Sequence, residues 1–599
     1  MKNPRLAKWS DLDKTEGLLL FAQRLVECLS DYTLDSYKTP ALNTHTRCIE
    51  LLRTISDVRA GIASNKSLEP LVEELAHSVH CDTAARALLG AHSENLSGPS
   101  WWEIGNLDRL KVQVDFLYGF LWQRQYEHEL KAQLQRLIRD PKEKARILDV
   151  TINLAIEWMY LGFSRDYIFV RAKWFFFGIG GDKIKSPDTL EEFFKAFEPS
   201  KKKFDVCFRV AASWASVGPD KLRDFVDLSL APPPPRDHLR FEMDFLGKTH
   251  DGAFAIVRDI EALDARSARN KAFDRLTVLA DIAAFHTHRN PFQWEAEALV
   301  WENTFPTVLK PSVPPIHKED ECPSNQLSDR IQDMIKALGP HKLEPDSWLR
   351  IAAAVGLHSS ALRSQDVAVQ LSTLWAAFEA LLPATVDESK IGTITEAVVP
   401  VLSRFYPVKL LVDLADSLES CCGLAYGSAR SGLYTTDHEI IQLASILTID
   451  ANEPLRDILY RALNHNPLLR NRIFILKQSL ESSNNIKSLI AGHSQRVSWH
   501  LSRIYRNRNL FIHSGRSLPY RDSLVENLHS YFHQLLSTIE RLFSQPTPPA
   551  DLDSALLRVR MDHFAHLDIL KSEKNTHTTP DNLRLLVFGP TMPPFAKPE

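Results

Sequence analysis

Several absences narrow the reading first. No apolar stretch approaches the length of a membrane span. The most apolar short run, Trp174-Phe175-Phe176-Phe177-Gly178-Ile179-Gly180, falls far short of the roughly 20 residues a spanning helix needs. The opening Met1-Lys2-Asn3-Pro4-Arg5 leads into a charged segment with no run of signal-peptide length. Cysteine is sparse: seven residues, at 28, 48, 81, 207, 322, 421 and 422, odd in number and without a CxxC pair. That pattern argues against a disulfide framework and against a cysteine zinc site. Cys421-Cys422 also lacks the basic neighbours of a reactive thiol. A cytoplasmic protein with reduced thiols and no membrane contact is expected.

Charge of one sign is also lacking overall. Lys and Arg number 71 against 75 Asp and Glu, a net charge of −4, so the whole chain has no general attraction to nucleic acid. Any such site must be local. Gly178-Ile179-Gly180-Gly181 has neither the lysine nor the spacing of a phosphate-binding loop, so no nucleotide cofactor is expected. His286-Thr287-His288 gives no metal site, and His529 with His533, though four apart, lacks the adjacent glutamate of an H-E-x-x-H metal motif. No metal is expected.

The local absence that matters is of acid. From Ser482 to Arg521 there is no aspartate or glutamate, while six arginines and Lys487 occur. Near its end runs Ile504-Tyr505-Arg506-Asn507-Arg508-Asn509-Leu510-Phe511-Ile512-His513-Ser514-Gly515. On a helix Asn509 and His513 share a face. Arg508 lies about 140° from His513 at roughly 100° per residue, so its long arm must swing round or the helix must loosen. Gly515 is placed to end the helix in the left-handed cap conformation. His513 then sits in the last turn, where the helix dipole favours its protonated form. Histidine suits acid or base work near neutrality, and arginine forks onto phosphate oxygens. Asn509 can orient the imidazole or donate to a phosphate. These are the groups that metal-free cleavage of a ribonucleotide linkage requires.

The string Ile504-Tyr505-x-x-Arg508-Asn509-x-x-x-His513-x-Gly515 resembles the signature of the HEPN superfamily of helical ribonucleases, in its Apea-like branch. Upstream, Leu374-Trp375-Ala376-Ala377-Phe378-Glu379-Ala380-Leu381-Leu382 is similar to that branch's tryptophan-rich first helix with its embedded glutamate. The resemblance covers about residues 346–545. It implies a metal-independent endoribonuclease with Arg508, Asn509 and His513 as catalytic residues, leaving 2′,3′-cyclic phosphate and 5′-hydroxyl ends. It also implies a homodimer whose two motifs face each other. The resemblance further implies RNA, with tRNA as one target, as the partner, and antiviral or toxin-type defence set off by a phage-derived or cellular trigger as the role. Glu379 is either a buried supporting partner for a motif arginine or a solvated glutamate. Arg503 and Arg506 either track an RNA backbone or are plain surface charge. Trp499 and Tyr505 either stack on bases or fill a core.

The expected fold is mainly α and multidomain. Helical spacing, as in Leu18, Phe21, Leu25 and Leu29, fills residues 1–199, a helical N-terminal domain that could act as a sensor and restrain the nuclease. Period-two alternation in Phe204–Val210, Leu239–Phe245 and Gln293–Val300 marks a small α+β domain at 200–303, with a further strand in Ala253–Ile260 and a helix in Asp264–Phe285. Residues 304–345 are a proline-rich linker with a helix near Leu327–Leu338, and 346–545 are the HEPN-like bundle. Residues 546–599 hold a last helix and a tail. Two rival functions stand beside the nuclease: a non-catalytic RNA-binding or dimerisation module, and a ligand-binding protein centred on 200–303.

Overall fold

A computed structural model describes residues 5–591, except 123, 141, 218–221, 223–225, 230–244, 246–251, 289–291, 303–304, 319–322, 384–389 and 517–519. The protein is mainly helical, with one small antiparallel sheet. Among the described residues no helix is long and apolar enough to cross a membrane, and the six described cysteines are free thiols.

The chain forms two compact units. One is residues 154–313; the other joins residues 1–153 to 314–599. This differs from a division at 199 and 345. The first helices do not form a body of their own, because their buried carboxylates and apolar faces are matched by side chains several hundred residues later.

In the larger unit, α1 (Glu16–Cys28), α2 (Thr44–Arg59) and α3 (Leu68–Cys81) come first. After residue 313 follow α4 (Pro345–Arg363), α5 (Val367–Ala380), α6 (Lys390–Ser403), α7 (Tyr406–Ser431), α8 (Pro467–Leu480), α9 (Ser483–Ser514), α10 (Arg521–Phe543) and α11 (Leu552–Ser572). The apolar pattern of Ala361–Leu382 suggests one continuous helix. The structure breaks it, because the Asp366 side chain accepts from the Val369 amide at 2.8 Å and restarts the chain as α5. The helix at Leu327–Leu338 stands where expected.

The spine of this unit is α9. Ser482 caps its start by accepting from the Asn485 amide at 3.3 Å, and Gly515 ends it at φ 64° while donating to the Phe511 carbonyl at 2.9 Å. At 32 residues it is about 48 Å long, enough to join two cores. Ile486 and Ile490 pack with Leu414, Tyr426 and Leu443 in one. Val497, Leu501 and Ile504 pack with Trp375, Phe378 and Phe532 in the other.

In the smaller unit the strands are β1 (Lys202–Val210), β2 (Asp227–Ser229), β3 (Ala253–Ala262), β4 (Trp294–Glu302) and β5 (Phe305–Leu309), in the order β2-β3-β1-β4-β5. Phe204, Val206, Phe208 and Val210 pack with Ala268, Ala272 and Leu276 of the Ala265–Thr287 helix, while Cys207 turns to the opposite face. The expected strand at Leu239–Phe245 and the Pro232–Pro235 loop lie outside the described residues, Phe245 excepted. Where a linker is expected, β5 pairs with β4. Pro306 hides it in sequence, yet an edge strand tolerates a residue that cannot donate.

Candidate functional site

The acid-free stretch is not short of acid in space, because α2 and α3 supply it. Arg503, 2% exposed, lies between Glu50 and Glu74. Its Nε donates to Glu50 at 3.0 Å. Arg506 also pairs with Glu50, and Tyr520 donates its hydroxyl to the same carboxylate at 2.6 Å. Arg47 joins Glu74 at 3.1 Å. Farther along, Trp499 and Gln495 donate to Glu73, and Arg516 pairs with Asp57 at 3.1 Å. Burial alone would raise the Glu74 carboxyl, but the guanidinium groups of Arg503 and Arg47 outweigh it and hold it at about 2.

Arg503 and Arg506 are therefore tied into the fold rather than laid along a surface. Contact of Arg503 with an RNA backbone would require breaking two buried ion pairs, each strong because little water competes there. Trp499 is buried with its indole donor engaged by Glu73, and Tyr505 packs against Trp375 with ring centroids 5.7 Å apart.

Arg508 is treated differently. Its Nη1 donates to the Asn509 side chain at 2.9 Å, and its Nε is buried without an acceptor. Among the described residues Arg503, Arg506 and Arg516 each have a carboxylate partner and Arg508 has none. The helix does not loosen; the guanidinium folds back onto its neighbour. His513 follows one turn after Asn509 and is exposed, beside Ile512 at 48% exposure. Arg508 and Asn509 are thus in contact, with His513 on the Asn509 face of the same helix. Glu379 is half-buried on α5, and the side-chain hydrogen bond of Arg508 goes to Asn509.

Elsewhere on α9 a cavity of about 380 Å³ is lined by Arg47, His77, Cys81, Asp149, His493 and His500 among others. Burial pushes His493 down to about 3, and burial with Arg503 nearby pushes His500 down to about 4, so both rings face the cavity neutral. His493 stacks on Tyr406 at 3.7 Å, and His500 shares a hydrogen bond of 2.9 Å with the Tyr531 hydroxyl. These rings are held in packing and hydrogen bonds of the fold.

No known family model, curated protein or solved structure matches the chain.

A third cluster went unseen in sequence. His358 of α4 meets His529 and His533 of α10, with ligand atoms all within 4.8 Å of one another. The Nε2 atoms of His358 and His529 are 2.8 Å apart. Only the i,i+4 pair is visible in the sequence; the third ring comes from 171 residues away.

Proposed function

We propose that the chain is a metal-independent endoribonuclease acting through the end of α9, with Arg508 stabilising the phosphate, Asn509 orienting and His513 transferring the proton. One observation carries the reading beyond the sequence motif: among the described residues Arg503, Arg506 and Arg516 are each paired with a carboxylate, whereas Arg508 keeps a buried, unmet donor and has no carboxylate partner. Such a group suits a phosphate oxygen. One histidine cannot be acid and base in the same step. A second copy, docked over the exposed His513 and Ile512, would supply the other, which makes the active form a homodimer. RNA, with tRNA as a candidate target, is the substrate in this reading, and cytoplasmic antiviral or toxin-type defence is its setting.

The test uses tag-free full-length protein, total RNA and labelling of new 5′-hydroxyl ends. His513→Ala is expected to lower cleavage about 100- to 10,000-fold, and Arg508→Ala about 100- to 1,000-fold, with unchanged melting temperatures. Sedimentation is expected to show a dimer. Equal cleavage by wild type and His513→Ala would sink the catalytic role. Binding of RNA without cleavage would favour a non-catalytic module.

A further inference from the structure

We propose that His358, His529 and His533 form a binding site for a divalent first-row transition metal, zinc foremost. The proposal is independent of the ribonuclease reading and stands on the geometry of the three rings.

Three imidazoles converge from two helices, and their ligand atoms lie within 4.8 Å of one another. His529 and His533 are one turn apart on α10 and so share a face. His358 comes from the middle of α4, with its ring 5.0 Å from that of His529 and nearly parallel to it at 15°. Its other neighbour is Phe532, stacked at 5.0 Å, which walls the cluster with hydrocarbon. Two facing Nε2 atoms 2.8 Å apart require that one ring donate a proton and the other accept it, so the pair cannot carry two protonated nitrogens there. A metal ion resolves the same confrontation by taking both lone pairs.

The distances suit the chemistry. Zinc binds histidine nitrogen at about 2.0–2.1 Å in tetrahedral geometry, which sets ligand nitrogens about 3.4 Å from one another. The close pair must open by about 0.6 Å and the wider contacts must close by at most about 1.4 Å, with the larger shifts open to the half-buried His358 and His533. An all-imidazole set favours zinc, copper, nickel or cobalt over magnesium or calcium, which prefer oxygen. His529 is 4% exposed while His358 and His533 are half-buried, so an ion has an inner ligand and a path from solvent. Three protein ligands leave a fourth position for water or a substrate group, the arrangement of an open rather than a closed zinc site. Bound there, the ion would also clamp α4 to α10.

The experiment uses tag-free full-length protein stripped with a chelator, then titrated with Zn²⁺ alone while binding heat and bound metal are measured. Co²⁺ substitution reports coordination through its visible spectrum. One zinc per chain, a nitrogen-type cobalt spectrum and a rise in Tm with zinc are expected. His358→Ala and His533→Ala should each weaken binding at least about tenfold, the lower end of what loss of an outer-shell partner alone costs. These two half-buried residues carry the test, since the buried His529→Ala could fail by unfolding. Zinc bound with unchanged stoichiometry and affinity in the His358→Ala, His533→Ala double variant would place the metal elsewhere and overturn the proposal. So would a wild type that binds no zinc, or one that binds Mg²⁺ as well as Zn²⁺.

Discussion

Arg503 and Arg508 lie five positions apart on one helix and meet opposite environments. Arg503 is sealed between Glu50 and Glu74, so Arg503→Ala removes the cation the two buried carboxylates share, leaving Glu50 with Arg506 and Glu74 with Arg47, and is expected to cost about 3 kcal/mol in chemical denaturation. The exposed Arg516, paired to Asp57 across a wet surface, should matter little: Arg516→Ala is expected to shift stability by less than about 1 kcal/mol. Gly515 isolates a backbone effect, because a Cβ there would meet nothing within 4 Å while φ stands at +64°. Gly515→Ala should therefore lower stability by roughly 1–2 kcal/mol, read from the thermal melt, and fray the turn that carries His513. A cost near zero would mean that the cap does not hold that turn.

At the scale of the element, α9 couples the fold to pH. His493 and His500 have folded values of about 3 and 4, below the ordinary 6.5. The unfolded chain binds their protons first as pH falls, so their contribution is complete above about 6.5 and erodes below it. Glu74, held at about 2 against an ordinary 4.5, adds stability that is present above about 4.5 and lost between there and about 2. Denaturation midpoints measured from pH 7.5 to 3 should fall in two stages, first with a histidine and then with a carboxylate signature. A flat profile between pH 6.5 and 4.5 would contradict the buried, neutral state of the two rings. The end of α9 was readable in sequence because Gly515 is a local signal that stops a helix. What faces it was not: Glu50 and Glu74 look like ordinary charged positions on amphipathic helices, and only the tertiary fold brings them to Arg503. His358 stayed hidden for the same reason, and β5 because Pro306 reads as linker.

For the whole molecule, the joining of residues 1–153 to 314–599 in one unit alters how restraint by the N-terminal part can be tested. Deleting the first 153 residues would strip Glu27 from Arg472 as well as Glu50 and Glu74 from Arg503. Such a deletion is expected to yield aggregated protein, seen by size-exclusion chromatography, rather than a released enzyme. A soluble monodisperse fragment would show that these helices are dispensable for the fold. Glu73→Gln, which faces Gln495 and Trp499 in the middle of α9, and Asp57→Asn, which faces Arg516 just past its end, are the gentler way to loosen the same contact. The mainly helical class and the α+β middle were open to periodicity, whereas the union of first and last segments was not, since no local pattern records which distant helix a charge will meet.

The pairing of Glu50 with Arg503 spans 453 residues, and that span has a meaning in time. A ribosome adding about 5–20 residues per second needs roughly 20 to 90 s to make the second partner after the first. Throughout that interval Glu50 lacks both of its arginines and Glu74 has only Arg47, so the buried network cannot be completed. Completion of the larger unit is thereby tied to completion of α9, the same helix that carries Arg508 and His513. A chain cut short before residue 503 would be left with an acidic, unfinished face rather than a stable half-protein, and quality control would meet it in that state.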